Sequence, residues 1–345
     1  MAAKSLASGE LYFVGEKDPM TNEDTQFVKI GIVRDNGARS TVDRLGNHQT
    51  SNPRLLHAIS IVKSPIVERL ETTMHGKFAP MRLSGEWFVF TSAECAGAIA
   101  AAGELASQAL ANEEFITTAE ELKSVKSAGE VLKPSGDVEL IHRRLIEVRA
   151  RIKACKSMTD AVVGALKDAS NRGVDVTRML TFRDNKGAER FDTENFKAAH
   201  PDLWSQFVTV EPSFKGSFLV TDPAATRPDP FGLFPELTDL NSRVEQAICV
   251  EDLEVKQVHE MFLELLTVQS SAEWEEDLLV DRIKSECGIA PGLTGVCKWS
   301  REEVSKEVFD KAGFKAEHQD IYAQFVTVGE STRSAVPARD RGFQI

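Results

Sequence analysis

What most limits the folds open to this chain is that it repeats itself. Residues 191–210 read FDTENFKAAHPDLWSQFVTV and residues 309–328 read FDKAGFKAEHQDIYAQFVTV, aligned without a gap at an offset of 118 with twelve of twenty positions identical. Agreement of that density is a duplication, not chance, and one supersecondary unit must be built twice. Upstream of the first copy, Val138, Ile141, Leu145, Val148 and Ile152 recur at helical spacing, and Val255, Val258, Phe262 and Leu265 repeat the pattern at an offset of 117. Each unit is therefore expected to hold a long amphipathic helix, a strand at "LTF" or "CKW", and a shorter helix. The expected boundaries are 137–220 and 241–328 for two mostly helical accessory modules, with a proline-rich linker at 221–240 and an irregular tail at 329–345.

The first third of the chain does not join the repeat. The runs "LYFV" at 11–14 and "FVKIGIV" at 27–33 are β-rich and flank the polar segment "GEKDPMTNEDTQ", which predicts a hairpin with a long loop. A helix is expected from Ser40 to Gln49, a strand at "LLHAISIV", a helix opened by Ser64-Pro65, a strand at "GEWFVF" and an alanine-rich helix from Ser92 to Asn112. The order ββαβαβα is a small α+β unit over 1–112, with a linker at 113–136. With 345 residues, 42% hydrophobic and 27% charged, the chain has material for two or three cores. Five scattered cysteines indicate neither a disulfide framework nor a zinc site. No stretch is apolar for long enough to span a bilayer or serve as a signal peptide, so a cytoplasmic protein with no membrane partner is expected.

The net charge of −12 would argue against nucleic acid if it were spread evenly, but residues 1–95 carry 11 Lys+Arg and 11 Asp+Glu. In that neutral region lie the groups that phosphodiester hydrolysis needs: something to prepare water, a positive charge for the phosphorane, and a carboxylate for a divalent cation. Tyr12 is in the first strand and Lys29 in the second. Arg44 and His48 share a helix face, and Glu71 begins a turn completed by His75. The ordered motifs "ELYFV", "VKIG", "RLGNHQTSNP" and "ERLETTMHGKF", then Arg82 and "GEWF", resemble the GIY-YIG nuclease superfamily, in the phage and bacterial branch whose second motif is KIG. The resemblance covers about residues 10–90. It implies a small mixed sheet with flanking helices, with Glu10-Leu11-Tyr12 standing for G-I-Y and Lys29-Ile30-Gly31 for Y-I-G. It further implies that Tyr12 and Lys29 prepare the water, Arg44 contacts the scissile phosphate, His48 orients Tyr12 or relays a proton, and Glu71 is the single metal ligand, for Mg²⁺ or Mn²⁺. His75, Arg82 and "GEWF" are expected to be structural and Trp87 to be core. Without the ordered motifs, Tyr12 would be a half-buried strand aromatic, and Glu71 with Arg69 and Lys77 would be surface charge.

The repeats resemble the region that follows the nuclease core in YqaJ-type phage exonucleases, but no strand carries an Asp followed by E-x-K. Residues 137–220 hold 14 Lys+Arg and 12 Asp+Glu, whereas residues 240–345 hold 12 and 20. Arg143, Arg144, Arg149, Arg151, Lys153 and Lys156 crowd one helix, so copy one is expected to grip DNA phosphates. Copy two would contact protein, including copy one of a neighbouring chain in a homo-oligomer. Phe196, Phe207, Phe314 and Phe325, with Trp204 and Tyr322, are expected to form a small core in each module. The leading expectation is a metal-dependent DNA endonuclease. Its rivals are a catalytically silent nucleic-acid-binding or host-interaction protein and an oligomeric scaffold.

Overall fold

The computed structural model of the protein describes residues 6–35, 40–50, 52–222, 228–249 and 254–342. Its N-terminal part runs β1 (Gly9–Lys17), β2 (Asp24–Arg34), α1 (Thr41–Gln49), β3 (Leu55–Ser64), α2 (Val67–Lys77), β4 (Arg82–Ser84), β5 (Trp87–Val89) and α3 (Ser92–Ala111). This is the expected α+β order with one added short strand, β4. The sheet, expected to be mixed, is antiparallel in every pairing, in the order β3-β1-β2-β5-β4. The first hairpin extends further into its polar segment than composition suggests, because Lys17 still pairs with Asp24, leaving a turn of residues 18–23.

Period-two alternation divides the sheet's side chains between two environments. Leu11, Phe13, Val28, Ile30 and Phe88 pack with Leu70 and Met74 of α2 and with the alanines of α3 in one buried core. Tyr12, Val14 and Leu56 point to the other face, where Leu45 of α1 and Trp87 pack beside them. Trp87 is thus half-buried on the thinner face and not in the main core, because Phe88 and Phe90, two residues apart, share the opposite strand face and the core takes them instead. Ser40 caps α1 reciprocally with Asp43, and Thr91 caps α3 with Glu94.

The rest of the chain runs α4 (Glu113–Glu121), α5 (Gly136–Asn171), β6 (Leu180–Asn185), β7 (Glu189–Phe191), α6 (Thr193–Ala199), α7 (Pro201–Phe207), β8 (Val208–Val220), α8 (Pro230–Leu233) and α9 (Pro235–Ile248). It continues through α10 (Val255–Cys287), β9 (Gly292–Leu293), β10 (Cys297–Phe309), α11 (Lys311–Glu317), α12 (Gln319–Gln324), β11 (Val326–Val328) and β12 (Thr332–Pro337). The two copies are not separate modules. Phe191 of β7 pairs with Val326 of β11, and Phe309 of β10 pairs with Val208 of β8. Adding 118 to the first residue and subtracting it from the second converts one pair into the other. The same operation turns Leu180↔Pro337 into Lys298↔Leu219, and the hydrogen bond from Asp192 N to Phe325 O (2.8 Å) into that from Asp310 N to Phe207 O (2.8 Å). The repeat is therefore a pseudo-two-fold pair inside one chain. Phe196, Trp204, Phe314 and Tyr322 form one shared core, where each module was expected to hold its own.

Several segments expected to be irregular are ordered by the same packing. The tail supplies β12, and the "FVTV" runs, for which no strand was expected, enter β8 and β11. In the proline-rich segment, residues 223–227 lie outside the described residues. Pro230 and Pro235 occupy first-turn positions, where a missing N–H costs no hydrogen bond, so both open helices. The linker after α3 begins with α4, and Ser127, Ala128 and Leu132 then hydrogen-bond to Arg301, Ile289 and Gly292 of copy two. Helix α10 is the spine. It packs along α5, and its Trp274 and Leu278 enter the N-terminal core. Its Asp281 accepts a 2.6 Å hydrogen bond from buried Arg69 of α2.

Candidate active site

Tyr12 sits in β1 opposite Gly31 of β2 and is 1% exposed. A Cβ at position 31 would lie 2.5 Å from the phenol oxygen, so the tyrosine ring occupies the space that only glycine leaves. The hydroxyl is buried beside the Arg44 side chain and makes no other polar contact among the described residues. Burial, then Glu86, pushes its pKa up, against a lowering influence from Arg44, so the phenol is neutral at ordinary pH.

Lys29 lies on the same face as Tyr12, two residues from Gly31. It is 8% exposed, its ammonium pairs with Glu86, and it lies 5.9 Å from the centre of the Trp87 ring. Arg44 and His48 are one turn apart on α1. Burial, then Lys29 and Arg44, lowers the pKa of His48, which favours the neutral imidazole. Glu71 reaches this cluster from α2. His75, one turn further on, bonds through Nε2 to the carbonyl oxygen of Ile30 (3.0 Å), which holds that face of α2 against β2. His75 is pushed down to about 4, first by burial, so it is a neutral N–H donor that orients the helix. Glu71 is pushed up to about 7, first by burial and then by Glu86, and no described residue gives it a hydrogen bond or ion pair. All five candidates therefore share one electrostatic neighbourhood, in which each acts on the charge state of another or has its own shifted by one.

Residues 11–102 match the T5orf172 domain. That family is associated with phage-type, GIY-YIG-like nuclease domains. The matched segment contains all five candidate residues and ends within α3, and both repeats lie outside it. No curated protein and no solved structure matches the chain.

Within the T5orf172 domain, the fit to a divalent cation rests on Glu71. Among the described residues, no three His, Cys, Asp or Glu side chains cluster closely enough to hold a metal. Mg²⁺ commonly keeps several waters and takes one or two carboxylates, with substrate phosphate completing the shell. Arg34 and Lys29 act on this half-buried carboxylate, but burial and Glu86 outweigh them and hold it up at about 7, so the added positive charge of such an ion would be favourable there. The residues fit.

Glu86 is the site residue that sequence reasoning missed. It was placed in "GEWF" as structural, yet its carboxylate holds Lys29 and acts on the pKa of Tyr12, His48 and Glu71. No local signal marks it, because Glu86 sits in the turn between β4 and β5 and meets Lys29 only once β5 pairs with β2. The cations of α5 behave differently from expectation. Arg144 pairs with Glu275 (2.6 Å) and Glu147 (3.1 Å), Arg149 with Glu276 (2.7 Å), Arg151 with Glu236 (2.7 Å) and Lys156 with Glu273 (3.9 Å). Glu273, Glu275 and Glu276 of copy two thus pair with cations of copy one within the same chain. Arg143 and Lys153 are exposed.

Proposed function

We propose that the T5orf172 domain hydrolyses DNA phosphodiester bonds with Mg²⁺ or Mn²⁺ held by Glu71. The observation that carries this reading is the electrostatic convergence of Tyr12, Lys29, Arg44 and His48 with Glu71, a carboxylate that burial raises to about 7. Bound there, the divalent ion would supply Lewis-acid stabilisation to a phosphate oxygen. Arg44 offers the guanidinium that meets the charge developing on phosphorus. Tyr12, held neutral by burial, donates a hydrogen bond and fixes a water or a phosphate oxygen. Neutral His48 takes the proton that the attacking water loses. Lys29 is kept in place by Glu86 and adds positive potential beneath the site.

The test is cleavage of supercoiled and linear duplex DNA, with and without Mg²⁺ or Mn²⁺, by the wild type and by Glu71→Gln and Arg44→Ala. Metal-dependent nicking, reduced at least about a hundredfold by either substitution, is expected. A wild-type protein that cuts no paired, branched or single-stranded DNA under these conditions sinks the proposal in favour of a binding role.

A further inference from the structure

Beside the proposed hydrolytic site, on the same sheet face, opens a cleft of about 350 Å³ whose walls include Phe27, Leu56, Leu83 and Trp87. Lys29 and His48 line it too, so the cleft is continuous with the residues proposed to act on the phosphate. One wall is built with care. Gln49, at the end of α1, donates to the carbonyls of Asn52 (3.0 Å) and Arg54 (2.8 Å) and accepts from Leu56 N (2.8 Å). Glu16, 7% exposed, accepts from Arg54 (2.5 Å) and Asn52 (3.2 Å). The wall is thus fixed before any ligand arrives.

The chemistry of this lining selects against a phosphate. Lys29 is held by Glu86 and the adjacent Arg54 guanidinium is held by Glu16, so neither cation is left over for an anion. It suits a flat group with apolar faces and a polar edge, meeting Phe27 and Trp87 on its faces and Asn52 at its rim. The volume lies at the lower end of small-molecule sites, roughly 300–1,000 Å³. A group of that kind attached to a DNA phosphate is a nucleobase, and a base in an intact duplex has both faces covered by its neighbours.

We infer that this cleft receives one unstacked nucleobase of the substrate strand, next to the scissile phosphate. The preferred substrate is then DNA with an unpaired or extruded nucleotide, in place of a uniform duplex. This rests on the nuclease reading and refines it.

The test uses the full chain carrying Glu71→Gln, to prevent hydrolysis, and three labelled DNAs: a paired duplex, the same duplex with one bulged 2-aminopurine nucleotide, and the same bulge made abasic. The bulged base is expected to bind at least about tenfold tighter than either control. Its emission should fall on binding. Leu83→Trp, which fills the cleft, and Phe27→Ala, which removes a wall, should each abolish the preference while leaving paired-duplex affinity unchanged. Equal affinity for the 2-aminopurine and abasic bulges, or a preference that survives Leu83→Trp, overturns the inference. Cleavage of paired duplex by the wild type without that preference leaves the nuclease reading standing and removes this one. Failure to bind any of the three DNAs sinks both.

Discussion

At the scale of single residues, the candidate site is governed by burial acting on a few ionisable groups. Glu71 ordinarily titrates near 4.5 and is raised to about 7 in the fold. The folded state then binds more protons than the unfolded state between those values. The stability associated with the protonated carboxyl is fully present below about pH 4.5 and is lost as pH rises through about 7. Glu71→Gln should therefore match the wild type at pH 4 and exceed it at pH 8 by about 1–2 kcal/mol, discounted for partial exposure. Thermal melts across that range check this; a substitution that is neutral at pH 8 contradicts it. Mn²⁺ should narrow the gap by stabilising only the wild type, with affinity weakening about tenfold per pH unit below 7. Gly31→Ala makes a separate demand. Its new methyl would lie 2.7 Å from the Cζ of Tyr12, so the ring must shift. A loss of about 1–3 kcal/mol is expected, together with a fall in any cleavage activity, whereas Gly46→Ala, which meets nothing within 4 Å, should leave activity intact. The sequence made Tyr12 and Gly31 visible as motif positions. It could not show that one needs the other, because that depends on strand register, nor that Glu86 belongs with Lys29, which is 57 residues away in sequence.

At the scale of elements, the helix that carries Glu71 is fixed at both ends of its inner face by contacts to other parts of the chain. His75 ties it to β2, and Arg69 ties it to Asp281 of α10, in a pair whose side chains are 9% and 8% exposed. Breaking a buried pair leaves one charge without a partner and costs about 3–5 kcal/mol. Asp281→Ala should lose that amount. The double replacement Arg69→Met with Asp281→Leu should lose less than Asp281→Ala alone, as chemical denaturation of both variants would reveal. If the single and double variants unfold alike, the pair is not the contact that joins these helices. Arg69 had the appearance of surface charge in sequence because its partner is 212 residues away. The helices themselves were legible: Ser40 with Asp43 and Thr91 with Glu94 are local capping signals, and α1 and α3 begin where those signals lie. The segments at 113–136 and 221–240 were not, since Ser, Gly and Pro mark helix starts as well as linkers, and only tertiary packing separates the two uses.

At the scale of the whole molecule, the duplication closes on itself. Lys197 pairs with Glu307 (2.5 Å) and, after exchange by 118, Lys315 pairs with Glu189 (3.2 Å). His200 meets the ring of Phe325 edge-on at 5.6 Å, and His318 meets Phe207 in the same way at 5.7 Å. Repetition was plain in the sequence, but two side-by-side modules and one interleaved pair carry the same internal repeat. The choice between them is made by which strand edges meet. The exposed ion pairs should contribute little, about 0–1 kcal/mol each. The shared aromatic core should decide the stability of both copies together. Phe196 and Phe314 are each fully buried, with ring centres 4.6 Å apart. Phe196→Ala and Phe314→Ala should each cost about 3–5 kcal/mol and should each lower the melting of both copies, not one alone. Because the rings touch, the double variant should lose less than the sum of the single losses. Hydrogen exchange read separately on β7 and β10 provides the discriminating measurement. Loosening of both strands by either substitution is the signature of one interleaved unit, whereas loosening confined to the substituted copy would mean that the copies hold their own cores.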